Sequence, residues 1–302
     1  FDIGNAWQGD NGGYLRDMLA LRITNEDPAY GEIEDKPVFF MMAEIHAREV
    51  STPELAIRYI KYLTSGYNGL GAYDFDADVT WLVNHNAVYV LVMQNPDGYR
   101  VNEQDINAYR RKNMDNDDGC STPSSWGVDL NRNHSFLWGC CGGSSPEPCE
   151  ETYRGPVKAS EPETVAYQNF ITSLIPDQNG PNDDETIGDM APITTTGIFV
   201  SLHSYADEIL WPWYLTGQPP APNEAQIENI GRKMAAIDPY FEPTGSIGYS
   251  EDGSANYWTY GKLGIPAYTF EVGPSYGTCS GFFPAYGCQD GIDGMTRNFW
   301  AE

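Results

Sequence analysis

Four apolar runs punctuate this chain, and each ends on or beside a residue capable of chemistry. Residues 38–42 (VFFMM) lead to His46, residues 87–94 (AVYVLVMQ) to Asn95, residues 197–203 close on His203, and residues 265–272 carry Glu271. Short apolar runs rich in β-branched and aromatic residues read as buried strands. Helical spacing lies between them. After the first run, Leu55, Tyr59, Ile60 and Leu63 recur on one face and Gly66 offers a stop; Ser51-Thr52-Pro53-Glu54 supplies a cap, a first-turn proline and a capping-box glutamate. Further helices are predicted over 160–174, with a second capping box from Ser160 to Glu163, over 222–237, and after a loop in 249–264. An early strand lies within 14–23.

Strands alternating with helices, without an internal repeat or a linker, predict one α/β domain. Its central sheet is mixed but mostly parallel and flanked by helices on both faces. Ligands bind such sheets at the C-terminal ends of the strands, where His46, Asn95, His203 and Glu271 all fall. The connections are polar. Asn95-Pro96-Asp97-Gly98 reads as a turn, residues 99–135 as irregular chain, 139–156 as a disulfide-held loop, and 176–196 as a surface insertion. A last helix is expected to begin within 292–302.

Composition removes whole classes of function. A net charge of −26 argues against nucleic acid, whose phosphates need a basic face. No run approaches the ~18 apolar residues of a membrane span. The six cysteines form no CxxC pair, so disulfides in an oxidising, extracellular compartment are expected. Cys279 is expected to pair with Cys288. Cys120, Cys140, Cys141 and Cys149 leave three connectivities open, a vicinal Cys140–Cys141 bridge being the least expected. The Asp-rich runs at 74–78, 115–118 and 183–185 read as solvated faces, with structural Ca²⁺ as an alternative.

His46 and Glu49 stand three residues apart just past a strand. Alone, the pair is equally a solvated histidine and a helix-end glutamate. Only four histidines exist, however, and His203 closes another strand, so a His₂Glu zinc site with one open position can be built. His85 and His134 read as structural. Glu271 is the candidate general base, and Arg111 and Arg132 are the candidate cations in an arginine-poor chain.

The segments HARE, NPDG, YRRKN, GVDLNRN, ETYRGP, SLHSY and TFEV occur in this order across residues 41–272. In that series the chain resembles the zinc metallocarboxypeptidases of the carboxypeptidase A/B type. The resemblance implies His46, Glu49 and His203 as ligands of one catalytic Zn²⁺, and Glu271 as the base that carries a proton from water to the leaving amine. It implies Arg111 as the residue that polarises the scissile carbonyl, Asn131 and Arg132 as the clamp on the terminal carboxylate, Tyr249 as a mobile cover, and Arg48 as support for the peptide subsites. An Arg fork beside an amide suits bidentate recognition of a free carboxylate.

Asn256 falls at the floor of the side-chain pocket, with Glu251 and Asp252 nearby as receivers of a basic side chain. The expected preference is broad: apolar or aromatic, with tolerance for Lys and Arg. The expected partners are peptide or protein C-termini, engaged by a secreted monomer. Two departures from the family imply a catalytic domain over 1–302 trimmed at both ends: the resemblance starts inside the first strand, and the chain stops at NFWAE. His134 stands where relatives often carry Trp, which alters a subsite wall. Two other functions share these motifs: a zinc amidohydrolase of cell-wall peptides or acylated amino acids, and an inactive binding module.

Overall fold

The computed structural model describes residues 1–69, 76–179, 187–188, 190–213, 215–237, 242–245 and 248–289. In chain order these form β1 (Asp2–Asn5), α1 (Trp7–Asp10), β2 (Asp17–Ile23), β3 (Val38–Ala43), α2 (Ser51–Gly66), α3 (Ala77–His85), β4 (Ala87–Leu91) and α4 (Pro96–Gln104). Then come α5 (Pro162–Leu174), β5 (Ile198–His203), β6 (Glu208–Leu210), α6 (Glu224–Ile237), β7 (Glu242–Gly245), α7 (Ala255–Leu263) and β8 (Ala267–Glu271).

The strands build one mixed sheet in the order β1-β2-β4-β3-β5-β8-β6-β7. Its centre, β4-β3-β5-β8, is parallel, and antiparallel pairs join β2 to β4 and β6 to β8. All five residues of β4 are buried, as a parallel strand covered on both sides requires. Helix α2 packs on β3, α7 on β5 and β8, and α6 on β6 and β7. Phe40 of β3 and Phe199 of β5 meet Tyr167 of α5 with ring centroids 5.9 and 5.7 Å apart, fixing that helix over the sheet.

This frame matters because parallel register aligns the strand ends. Ala43 pairs with Leu202, and His203 pairs directly with Glu271. The last residues of β3, β5 and β8 therefore open onto one edge.

Several local expectations are corrected. Asn95-Pro96-Asp97-Gly98 is the start of α4, not a free turn: the Asn95 side chain accepts from Gly98 N at 3.1 Å, and Pro96 occupies the first turn. Gly98 is needed there, since a Cβ would stand 2.6 Å from Ala47 Cβ and 2.8 Å from Lys112 O. Neither capping box forms. Ser51 already lies inside α2 behind Val50, while Thr52 Oγ1 accepts from Glu44 N and donates to Glu49 O. Glu163 instead accepts from Trp7 N at 2.8 Å, a tertiary partner that displaces the local one. Strand β1 and helix α3, which Asp76 caps, went unread.

The cysteines are also corrected. Cys279–Cys288 forms as expected, but the remaining four pair as Cys120–Cys149 and the vicinal Cys140–Cys141. The fold brings Cys120 and Cys149 to a Cα separation of 5.7 Å, ordinary for a bridge, and leaves the neighbours to each other. Among the Asp-rich runs, Asp115 is buried instead of solvated. The 183–185 run, Asp74 and the helix expected over 292–302 lie outside the described residues.

Candidate metal centre and cleft

The segment 44–50 leaves β3 in a tight bend, with Glu44 at a positive φ of 56° and Ala47 N bonded to Arg111 O at 3.1 Å. The bend turns His46 and Glu49 towards His203, the last residue of β5. His46 Nδ1 lies 2.7 Å from Glu49 Oε1, His203 Nδ1 lies 3.1 Å from Glu49 Oε2, and the two Nδ1 atoms are 3.2 Å apart. All three side chains are buried, and their donor atoms fall within 4.8 Å of one another.

This set fits zinc. Two inward imidazole nitrogens beside a carboxylate call for a cation between them, and two His plus one Glu is a catalytic donor set. The outer nitrogen of His46, Nε2, faces Asp129 Oδ1 at 3.4 Å, so Nδ1 is the nitrogen turned towards Glu49 and His203. Among the described residues no second group of three donors converges, so the Ca²⁺ alternative finds no cluster there.

The electrostatics divide the carboxylates. Desolvation would raise Glu49, but His46 and His203 outweigh it and hold this carboxyl well below its usual range. Glu271 goes the other way. Burial pushes it up to about 8, the charges of Glu49 and Glu251 add to the rise, and His203 only partly opposes. Neighbouring carboxyls are thus pushed in opposite directions, Glu49 down and Glu271 up.

Asp129 is the residue that motif reading passed over. It is fully buried, with Oδ2 accepting from Arg111 Nε at 3.0 Å and Nη2 at 2.8 Å, and Oδ1 accepting from Asn131 N at 3.0 Å. It therefore holds Arg111, the outer edge of His46 and the Asn131 backbone together. Its signal was its place two residues before Asn131 in GVDLNRN. Arg111 Nη1 is left 3.3 Å from His46 Nδ1, beside the donor cluster.

Of the other predicted residues, Arg48, Arg111, Arg132 and Tyr249 line an open cavity of about 850 Å³ together with Gly143, while Asn131 and Asn256 lie outside its wall. Arg132 is buried, with Nε donating to Gly143 O and Nη1 to Asn131 O. Asn131 Oδ1 accepts from Ala255 N at the start of α7. Gly253, at a φ of +74°, lets the 250–254 loop close on the Arg132 backbone; a Cβ there would lie 2.4 Å from Arg132 O. Tyr249 is 54% exposed at the mouth of the cavity. Arg48 pairs with Glu151 at 3.2 Å and lies over the Phe282 ring. Asn256 is buried, accepting from Ser254 Oγ at 2.7 Å, with Nδ2 unpartnered. His134 is buried and kept neutral by desolvation, and His85 packs on Trp81.

Residues 2–292 match the model of the zinc carboxypeptidase family. The chain belongs to that family. The zinc carboxypeptidase of Saccharothrix mutabilis subsp. capreolus is 29% identical over 289 residues, covering 93% of this chain and 58% of the relative. Zinc carboxypeptidase A 1 of Drosophila melanogaster is 30% identical over 283 residues, covering 90% of this chain and 56% of the relative. The fold matches the crystal structure of carboxypeptidase A from Helicoverpa armigera with a TM-score of 0.70 at 23% identity, over 99% of this chain and 64% of that one. The chain spans little more than half the length of these curated relatives.

Proposed function

We propose that this zinc carboxypeptidase family member is an active, zinc-dependent carboxypeptidase that removes the C-terminal residue of peptides and proteins. The observation that carries the reading is one edge of the sheet holding a buried His₂Glu donor set, a carboxyl of raised proton affinity and a guanidinium clamp. A zinc ion held by His46, Glu49 and His203 would supply Lewis acidity and lower the pKa of water in the open position.

The chain's own residues do the rest. Glu271 takes the proton of the attacking water and delivers it to the leaving amine, a task suited to a group poised near the working pH. Arg111, locked by Asp129, offers N–H groups to the scissile carbonyl oxygen as it gains charge. Arg132 and Asn131 hold the terminal carboxylate, which restricts cleavage to the last bond. Tyr249 closes over the bound residue, Asn256 forms the pocket floor, and Arg48 steadies the upstream chain. Three disulfides support an oxidising, extracellular setting.

The test follows a peptide by mass spectrometry with zinc, with a chelator, and after zinc is restored. Loss of single C-terminal residues that stops on chelation and returns with zinc supports the proposal. Internal cleavage, or turnover indifferent to chelation, contradicts it.

A further inference from the structure

Main-chain oxygens, and no carboxylate, aim the guanidinium of Arg132. Nε donates to Gly143 O at 2.8 Å and Nη1 to Asn131 O at 2.7 Å. Among the described residues the one carboxylate within ion-pair range, that of Glu251, stands 3.9 Å from Nη2, too long for a hydrogen bond. A guanidinium held by neutral carbonyls keeps its charge for a ligand. Asn131 O belongs to the adjoining residue, but Gly143 O comes from a segment with no helix or strand of its own. Gly142, beside it, is exposed at a φ of +77°, with nothing within 4 Å of where a Cβ would stand. Two adjoining glycines leave such a peptide free to turn unless something fixes it.

Asp252 fixes it. This side chain is fully buried, with Oδ1 accepting the Gly143 N–H and Oδ2 accepting the Ser144 hydroxyl at 2.6 Å. The two contacts flank the peptide unit between Gly143 and Ser144, whose oxygen accepts from Arg132 Nε. The loops meet closely: a Cβ on Gly143 would stand 2.3 Å from Ser250 O and 2.4 Å from Asp252 Oδ1. Gly143, Ser144 and Ser250 line the cavity, and Asp252 lies behind them. Burying a carboxylate is costly, and its partners here are an amide and a hydroxyl, neither of them a cation. With both oxygens taken, Asp252 does not receive a basic substrate side chain.

We infer that Asp252 is a positioning residue for the carboxylate clamp: by fixing the 143–144 peptide it aims the open edge of Arg132 at the substrate's terminal carboxylate. The inference deepens the carboxypeptidase reading and rests on it. Asp252 touches no substrate, so its loss weakens the hold on the terminal carboxylate and leaves the zinc ligands and Glu271 in place.

The test compares Asp252→Ala and Asp252→Asn with the wild type on a blocked dipeptide ending in Phe. Titration calorimetry on the same zinc-loaded proteins measures binding of N-acetylphenylalanine and of its amide. Asn keeps both contacts, its oxygen accepting from Gly143 N and its NH₂ donating to Ser144 Oγ, whereas Ala keeps neither. The Ala variant is expected to raise KM about 10- to 100-fold, the range carried by a hydrogen bond to a charged group, with a much smaller change in kcat. Its affinity for the acid falls by the same factor, its affinity for the amide is unchanged, and the Asn variant stays near the wild type. A wild-type KM in the Ala variant, a fall in kcat alone, or equal losses for acid and amide overturns the inference. So does an Asn variant as impaired as Ala, since charge and not hydrogen bonding would then be the working feature. If the Ala variant does not fold, Ser144→Ala removes one of the two contacts; a KM raised about fivefold supports the inference and an unchanged KM overturns it. If the wild type cuts nothing, the carboxypeptidase reading has failed, while acid against amide in the calorimeter still decides the role of Asp252.

Discussion

Replacing Asp129 by Asn removes one charge from the point where three parts of the site meet. Asp129 is fully buried and holds the Arg111 guanidinium through two hydrogen bonds of 3.0 and 2.8 Å to Oδ2. In the variant an NH₂ group either faces those donors or, if the amide flips, faces Asn131 N and His46 Nε2. Each arrangement leaves a buried donor opposed by a donor. Breaking a buried pair by removing one partner costs about 3–5 kcal/mol. Asn retains one accepting oxygen, so the lower end, about 3 kcal/mol, is expected. The pH dependence has a definite sign. Although desolvation would raise it, Arg111 and then His46 hold the Asp129 carboxyl well below its ordinary value of 3.8. A depressed folded-state pKa contributes stability that is complete above the unfolded value and lost as pH falls through the folded one. The penalty is therefore full at pH 7 and shrinks only in strong acid. Zinc affinity should fall about 10- to 100-fold, because His46 loses the partner that orients it. Urea unfolding of the chelated protein measures the first effect, and competition with a chromogenic chelator measures the second. An Asp129→Asn protein with wild-type stability and wild-type zinc affinity would refute the reasoning.

Two further predictions concern other parts of the fold. Burial, with a contribution from Glu161, pushes the Glu163 carboxyl up to about 8 from 4.5. A raised folded pKa gives stability that is full below the unfolded value and drains as pH rises through the folded one. Glu163→Gln should match the wild type near pH 4.5 and exceed it by up to about 4 kcal/mol at pH 8, at about 1.4 kcal/mol per pH unit. Urea titrations across that range check this, and a pH-independent difference counts against it. Gly253→Ala forces a Cβ to 2.4 Å from Arg132 O at a φ of +74°, so the clamp must shift. KM should rise about tenfold with a smaller change in kcat, the pattern of a lost binding contact. A folded variant with an unchanged KM would mean that the 250–254 loop does not shape the clamp.

Much of the architecture was legible because parallel strands are buried on both sides and write themselves as apolar runs. The runs ending at His46, His203 and Glu271 located the sheet edge before any coordinates. Motif order supplied Arg111 but not Asp129, because the two join through a bond between side chains 18 positions apart that no spacing could foretell. The unread features have a common cause, which is competition from distant partners. Glu163 prefers Trp7 N to its own helix cap. Asn95-Pro96-Asp97-Gly98 becomes a helix start because Gly98 fits against Ala47 and Lys112. The vicinal disulfide could not be read because only the fold brings Cys120 beside Cys149. Asp252 and Glu251, equal as letters, separate only when Gly143 and Ser144 are seen to occupy the first.

The central claim is that Arg132 and Asn131 recognise a free terminal carboxylate next to a zinc centre. Paired hydrolysis of one peptide as its free acid and as its C-terminal amide tests it most directly, with the chelated protein as the blank. The account predicts that the acid loses its last residue, the amide survives, and chelation abolishes cleavage of the acid. Equal cleavage of acid and amide would contradict it.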